Sequence, residues 1–137
     1  MVWATVQRRP LLTAEVWPRL KGAFRSIGHR IGVDVMEVGG VDDHVHVLVR
    51  VPTTLSVATV AKHLKGASSH LINHSGGSPR LRWQGGYGAF TVSVRNVPAV
   101  RRYIRDQPAR HRTSHLNPAL ERTDPPPQSA EPTSPRS

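Results

Sequence analysis

The chain has no cysteine, which removes disulfides and thiolate metal sites from its chemistry. That absence fits a reducing cytoplasm. No run approaches the roughly 20 apolar residues of a membrane-spanning helix, and no charged-then-apolar leader opens the sequence. A soluble, cytoplasmic protein without a membrane partner is therefore expected. Tyrosine is scarce, with only Tyr87 and Tyr103, so any tyrosine chemistry has two candidates. The run Gly85-Gly86-Tyr87-Gly88 matches neither a dinucleotide fingerprint nor a P-loop, because no Lys-Ser or Lys-Thr pair follows it. A metal hydrolase is disfavoured too. There is no His-Glu-x-x-His helix, and 137 residues are too few for a β/α barrel.

Acidic residues are the other shortage: 9 Asp/Glu stand against 19 Lys/Arg, for a formal net charge of +10. The excess is uneven. Residues 1–112 hold 17 basic and 6 acidic side chains, while residues 113–137 are slightly acidic. A basic folded part suits a polyanion, because neutralising phosphates releases counterions; a merely solvated basic surface is the plainer alternative. Residues 113–137 carry six prolines among Ser, Thr and acidic residues. Such a segment buries too little apolar surface to offset its ordering entropy, so a disordered tail is expected after a single domain spanning 1–112.

Within the domain, Val2 to Val6 read as a short strand. Thr13 is placed to cap a helix running to about Arg30, with Val16, Leu20, Ala23, Phe24 and Ile27 on one face and a kink or late start at Pro18. Gly32 stops it, Val33 to Val38 form a second strand, Gly39-Gly40 a turn, and His44 to Val51 a third strand. Ser56 caps a second helix carrying Val57, Val60, Ala61, Leu64 and Leu71. Residues 74–81 read as a polar loop, and Ala89 to Val94 alternate like another strand. Asn96 caps a last helix in which Pro98 falls in the first turn. This order predicts an α+β fold: a ferredoxin-like (RRM-like) antiparallel sheet with two helices on one face. The C-terminal helix then closes over the other.

His44 and His46 share one face of the third strand, because side chains alternate; Val45, Val47 and Val49 share the other. Two imidazoles so placed can bind one metal ion. Alone the pair is a weak signal, but in an apolar strand buried histidines need partners. On the last helix Tyr103 and Gln107 are four apart and therefore neighbours. A tyrosine hydroxyl, with a pKa near 10, attacks phosphorus usefully when cations surround it and a metal polarises the phosphate. Arg101, Arg102 and Arg105 are candidates for those cations, and Lys62, Lys65 and Arg82 for further DNA contacts. Asp106 reads as a solvated helix residue, and Tyr87 as a structural or base-stacking one.

Taken together, Gly39-Gly40-Val41-Asp42-Asp43-His44-Val45-His46-Val47-Leu48-Val49, Leu64-Lys65-Gly66-Ala67-Ser68-Ser69, Trp83 to Phe90 and Tyr103-Ile104-Arg105-Asp106-Gln107 resemble the single-tyrosine HUH transposases. These are the insertion sequence 200-like family, with the REP-associated tyrosine transposases as relatives. The resemblance spans roughly residues 2–112. It implies that His44, His46 and Gln107 hold magnesium or manganese. It also implies that Tyr103 forms a 5′-phosphotyrosine link with cleaved single-stranded DNA. The implied partners are DNA hairpins at element ends and a second subunit, the tyrosine of one subunit often serving the histidines of the other. Two imidazoles and an amide bring no negative charge, so metal and DNA phosphate would bind cooperatively, and nitrogen ligands favour manganese. Two departures stand out: the first strand is short, and Pro108 disfavours helical geometry at Gln107. The alternative function is a catalytically silent single-stranded nucleic-acid-binding module on the same sheet.

Overall fold

The computed structural model describes residues 1–76, 80–113 and 116–123. Its elements are β1 (Val2–Ala4), α1 (Val16–Ile31), β2 (Asp34–Gly40), β3 (His44–Arg50), α2 (Val57–His74), α3 (Val97–Arg105) and α4 (Gln107–Thr113). The strands form an antiparallel sheet in the order β1-β3-β2, with β3 at the centre. His46 pairs with Val2 on one side and Gly39 on the other.

Local chemistry marks the ends of α1 and the start of α2, whereas Asn96 precedes α3 without a side-chain cap bond. The Thr13 carbonyl accepts from Val16 N at 3.0 Å, and Pro18 falls in the first turn of α1, where its missing N–H costs nothing. Gly32 closes α1 at φ 80, a left-handed conformation glycine adopts without strain. The Ser56 hydroxyl accepts from Thr59 N at 3.1 Å and caps α2, a bond of the kind worth about 1 kcal/mol. Helices α1 and α2 cover one sheet face. There Trp3, Leu20, Phe24, Ile27, Val45, Val47, Val60 and Leu64 form the core, with Trp3 edge-on to Phe24 at 5.6 Å and to Trp83 at 5.8 Å. Truncating a fully buried residue such as Leu64 to alanine costs roughly 2–5 kcal/mol.

Several expectations need correction. Ala89 to Val94 are not a strand. Gly88 bridges Val2, with Gly88 N donating to the Val2 carbonyl at 2.7 Å, but the antiparallel register then runs past the start of β1. Residues 89–94 therefore have no ladder partner among the described residues. Gly39 and Gly40 are not a turn but the end of β2; the turn falls at 41–43. Leu71 and Val57 are exposed, because the buried face of α2 runs Val60, Leu64, Ser68, Ile72. The final helix is broken at Asp106 (φ −91, ψ 12), so Pro108 sits in the first turn of α4, where proline is tolerated, rather than inside α3. Residues 116–123, assigned by composition to the tail, pack against the domain: Thr123 Oγ1 accepts from Arg8 at 3.3 Å, and the Arg122 carbonyl lies against Gly88. Residues 124–137, like Gly77 and Pro79 of the polar loop, lie outside the described residues.

Candidate metal and tyrosine site

Alternation along β3 sends Val45 and Val47 into the core and His44 and His46 to the opposite face. Helix α3 covers that face through Tyr103 and Ile104, both buried. Its close approach depends on Gly39, where any Cβ would overlap the Ile104 carbonyl. His44 and His46 are 3% and 4% exposed, and their rings lie 5.2 Å apart. The Tyr103 ring stands 6.0 Å from that of His46, edge to face.

One carboxylate connects these groups. Glu121 Oε2 lies 3.1 Å from His44 Nε2 and 3.1 Å from His46 Nε2. Its Oε1 accepts from the Tyr103 hydroxyl at 2.5 Å and from Gln107 Nε2 at 3.0 Å. The Tyr103 oxygen also accepts from Asn117 N at 2.9 Å. Gln107 is fully buried, with Oε1 3.3 Å from His44 Nε2 and 3.0 Å from His111 Nε2. Asp43 Oδ1 accepts from His44 Nδ1 at 2.8 Å, which turns Nε2 into the site. The Arg110 guanidinium stacks 4.6 Å from the centre of the Tyr103 ring.

Burial and charge act in opposite directions on these groups. Burial pulls the His44 imidazole down, but hydrogen bonds to Glu121 and Asp43 outweigh it and hold its pKa above the ordinary value. Burial wins at His46, whose pKa is lowered despite Glu121. Burial pushes the Tyr103 hydroxyl up, and its bond to Glu121 adds to the rise. For Glu121, burial raises the pKa, but bonds from His44, His46 and Tyr103 prevail and hold the carboxyl far below its usual range. Apart from the carboxylates of Glu121 and Asp43, the site groups imidazoles and a guanidinium, suited to an anion or to a cation that brings one.

His44, His46, Tyr103 and Gln107, expected from four separated positions, thus converge. The arginines of α3 do not surround the tyrosine. Arg101 donates to the Met36 carbonyl at 3.2 Å and lies 3.5 Å from Glu37, and Arg105 lies 3.2 Å from Glu37. Arg102 is exposed, as are Lys62 and Arg82, whereas Lys65 Nζ donates to the Gln84 and Gly86 carbonyls at 2.8 Å each. The cation beside Tyr103 is Arg110, from α4. Asp106 is exposed, and Tyr87 packs on the core. Glu121, Asp43, Arg110 and His111 were not anticipated. Only Asp43 had a visible signal, being adjacent to His44 in sequence. Beside the site an apolar groove of about 810 Å³ lies against the sheet and α3, lined by Leu48, Phe90, Val94, Val97 and Ile104 together with His46 and Tyr103.

The donors of His44, His46 and Glu121 all lie within 4.8 Å of one another, close enough to share one ion. Two imidazole nitrogens and a carboxylate oxygen fit a divalent first-row metal or magnesium. Fold and site together define a class: an α+β domain with a His-x-His pair on its central strand beneath a helix that presents a tyrosine. The family model described as "Transposase IS200 like" matches residues 1–107. The ISDra2 transposase TnpA of Deinococcus radiodurans is 28% identical over 115 residues, covering 78% of this chain and 81% of that protein. The transposase for insertion sequence element IS200 of Salmonella typhimurium is 26% identical over 113 residues, covering 78% and 74%. A crystal structure of a protein from Deinococcus radiodurans aligns with a TM-score of 0.59 at 28% identity over 77% of this chain and 86% of the other. The chain belongs to the IS200-like transposase family. Among the described residues no helix is long and apolar enough to cross a membrane.

Proposed function

We propose that this transposase cleaves and rejoins single-stranded DNA through a covalent 5′-phosphotyrosine at Tyr103, aided by a magnesium or manganese ion held by His44 and His46. The observation that carries this reading is the convergence of Tyr103 and both histidines on one carboxylate, Glu121, within a single chain. A phosphate oxygen is also an acceptor, and it suits the position that carboxylate takes.

The Tyr103 hydroxyl gives up its proton to solvent and its oxygen forms the bond to phosphorus, the bond from phosphorus to the 3′-oxygen breaks, and that oxygen leaves as a 3′-hydroxyl after taking a proton from solvent. Rejoining is the reverse, with an incoming 3′-hydroxyl. Asp43 keeps the His44 Nε2 turned to the site, and Arg110 offsets charge beside the phenol ring. A bound divalent ion supplies Lewis-acid polarisation of the phosphate and stabilises the leaving oxygen. Bases flanking the cleavage point lie along the apolar groove, and exposed Lys62, Arg82 and Arg102 contribute to backbone binding, with smaller shares from Arg101 and Arg105. The substrates are hairpin-bearing single strands at element ends. Assembly is a homodimer, and action of Tyr103 with the histidines of its own subunit is supported by the 6.0 Å between the Tyr103 and His46 rings.

The test is incubation with single-stranded hairpin DNA from the gene's flanks and Mn²⁺. A covalent adduct forms with wild type and is lost in Tyr103→Phe. Salt-sensitive binding with no adduct in either protein identifies a silent binding module instead.

A further inference from the structure

We propose that His70 and His74 form a second metal site, which takes a late first-row divalent cation of the zinc class. It is separate from the tyrosine site. Helix α2 covers the sheet face opposite to His44 and His46, so the two histidine pairs cannot share an ion.

Helical spacing sets the pair. Side chains four residues apart lie one above the other, and two histidines so placed on one helical face bind a single zinc ion. Here the two rings already stack across one turn, with centroids 4.0 Å apart and planes 35° from parallel. Ring nitrogens each about 2.0–2.1 Å from one tetrahedral ion stand about 3.3 Å from each other. Small turns about the side-chain torsions bring these rings to that arrangement. Both are exposed, so water fills the remaining positions around the ion. Among the described residues neither imidazole has a hydrogen-bond or ion-pair partner to give up. His63 lies on the same face but two turns away from His70, roughly 10 Å, too far to join them.

The position favours a cation. His74 falls in the last turn of α2, where unpaired carbonyls give a helix its negative end. Arg19 of α1 reaches the Ile72 carbonyl at 2.9 Å, but Ile72 is buried, on the side of the helix turned away from His70 and His74. Two nitrogen ligands select zinc, nickel or copper over magnesium, which takes oxygen. Such an ion ties down the end of α2. Asn73, between the two histidines, holds the chain at Leu81: its Nδ2 donates to the Leu81 carbonyl at 2.8 Å, and Leu81 N donates to its Oδ1 at 2.7 Å. Leu81 is buried in the core, and Trp83 bridges Thr5 just beyond β1. A clamp on residues 70–74 therefore stiffens the join between α2 and the segment that meets the sheet edge.

Side-chain NMR of the full chain, read residue by residue during titration with ZnSO₄, tests this. The His70 and His74 imidazole signals move together on one saturation curve, before that of exposed His63, and MgCl₂ moves neither. His74→Ala weakens the zinc response of His70 at least about tenfold, and His70→Ala does the same to His74. Both side chains are exposed, so the variants keep the fold. Zinc also raises the melting temperature of wild type more than that of the protein carrying both substitutions; an equal rise overturns the clamp. Signals of His70 and His74 that stay in place, or that move only together with His63, overturn the site, as does an unaltered His70 response in His74→Ala. The readout lies on α2 alone, so it stands or falls independently of Tyr103 and His44.

Discussion

The Tyr103 hydroxyl donates to Glu121 at 2.5 Å, joining the residue proposed to attack DNA to the carboxylate that faces both histidines. This bond is local in space but spans two segments, α3 and the turn after α4. On the proposed mechanism Tyr103 exchanges Glu121 for a phosphate before it attacks, which would displace the turn at 117–121.

In the proposed metal site Asp43 would act on the cation through His44. Replacing it with asparagine keeps the side-chain shape but removes the charge that fixes the His44 tautomer. Asp43→Asn is expected to weaken Mn²⁺ binding by roughly 10–100-fold, with the melting temperature little changed. Calorimetric titration and a thermal melt check both halves.

Gly39 sets the distance between α3 and the sheet. In Gly39→Ala the new methyl group meets the Ile104 carbonyl, a backbone atom that cannot rotate away. Helix α3 must shift, carrying Tyr103 from the histidines. We expect a loss of about 1–3 kcal/mol in stability, the usual range for overpacking, and a fall in adduct yield of at least about tenfold. Denaturant unfolding and a gel assay measure these. Unchanged adduct yield would show that Tyr103 does not depend on this packing.

Proton linkage gives the site a pH signature in metal-free protein. The Glu121 carboxyl is held below its ordinary value of 4.5 when folded, so its contribution to stability is complete above that pH and is lost as pH falls through the folded value. His44 behaves oppositely: its folded pKa is raised above 6.5, so its contribution is present below 6.5 and is lost as pH rises through the folded value. Thermal melts in chelator should show stability falling on the acid side below about pH 4.5, and Glu121→Gln should flatten that limb.

Much of this was legible in the sequence because it rests on local pattern. Period-two alternation put His44 and His46 on the face opposite Val45 and Val47, and helical spacing made Tyr103 and Gln107 neighbours. Capping chemistry placed the ends of α1 and α2 near Thr13, Gly32 and Ser56. The errors lie where partners at a distance decide. Residues 89–94 alternate like a strand, but pairing ends at Gly88. Pro108 suggested damage to one helix, whereas the chain breaks at Asp106 and starts another. Glu121 sits in a proline-rich, polar segment with no periodicity, and only the folded chain brings it to His46, 75 residues away. The arginine count of α3 was misleading as well, since Glu37 lies within reach of Arg101 and Arg105, and Arg110 takes the place beside the tyrosine.

The central claim is that Tyr103 is the atom donor to DNA. Its most direct measurement is peptide mapping by mass spectrometry of the wild-type adduct formed on flank-derived hairpin DNA with Mn²⁺. The account predicts a 5′-linked nucleotide on the peptide containing Tyr103 and none on the peptide containing Tyr87. A nucleotide on any other residue, or an adduct that persists in folded Tyr103→Phe, would contradict it.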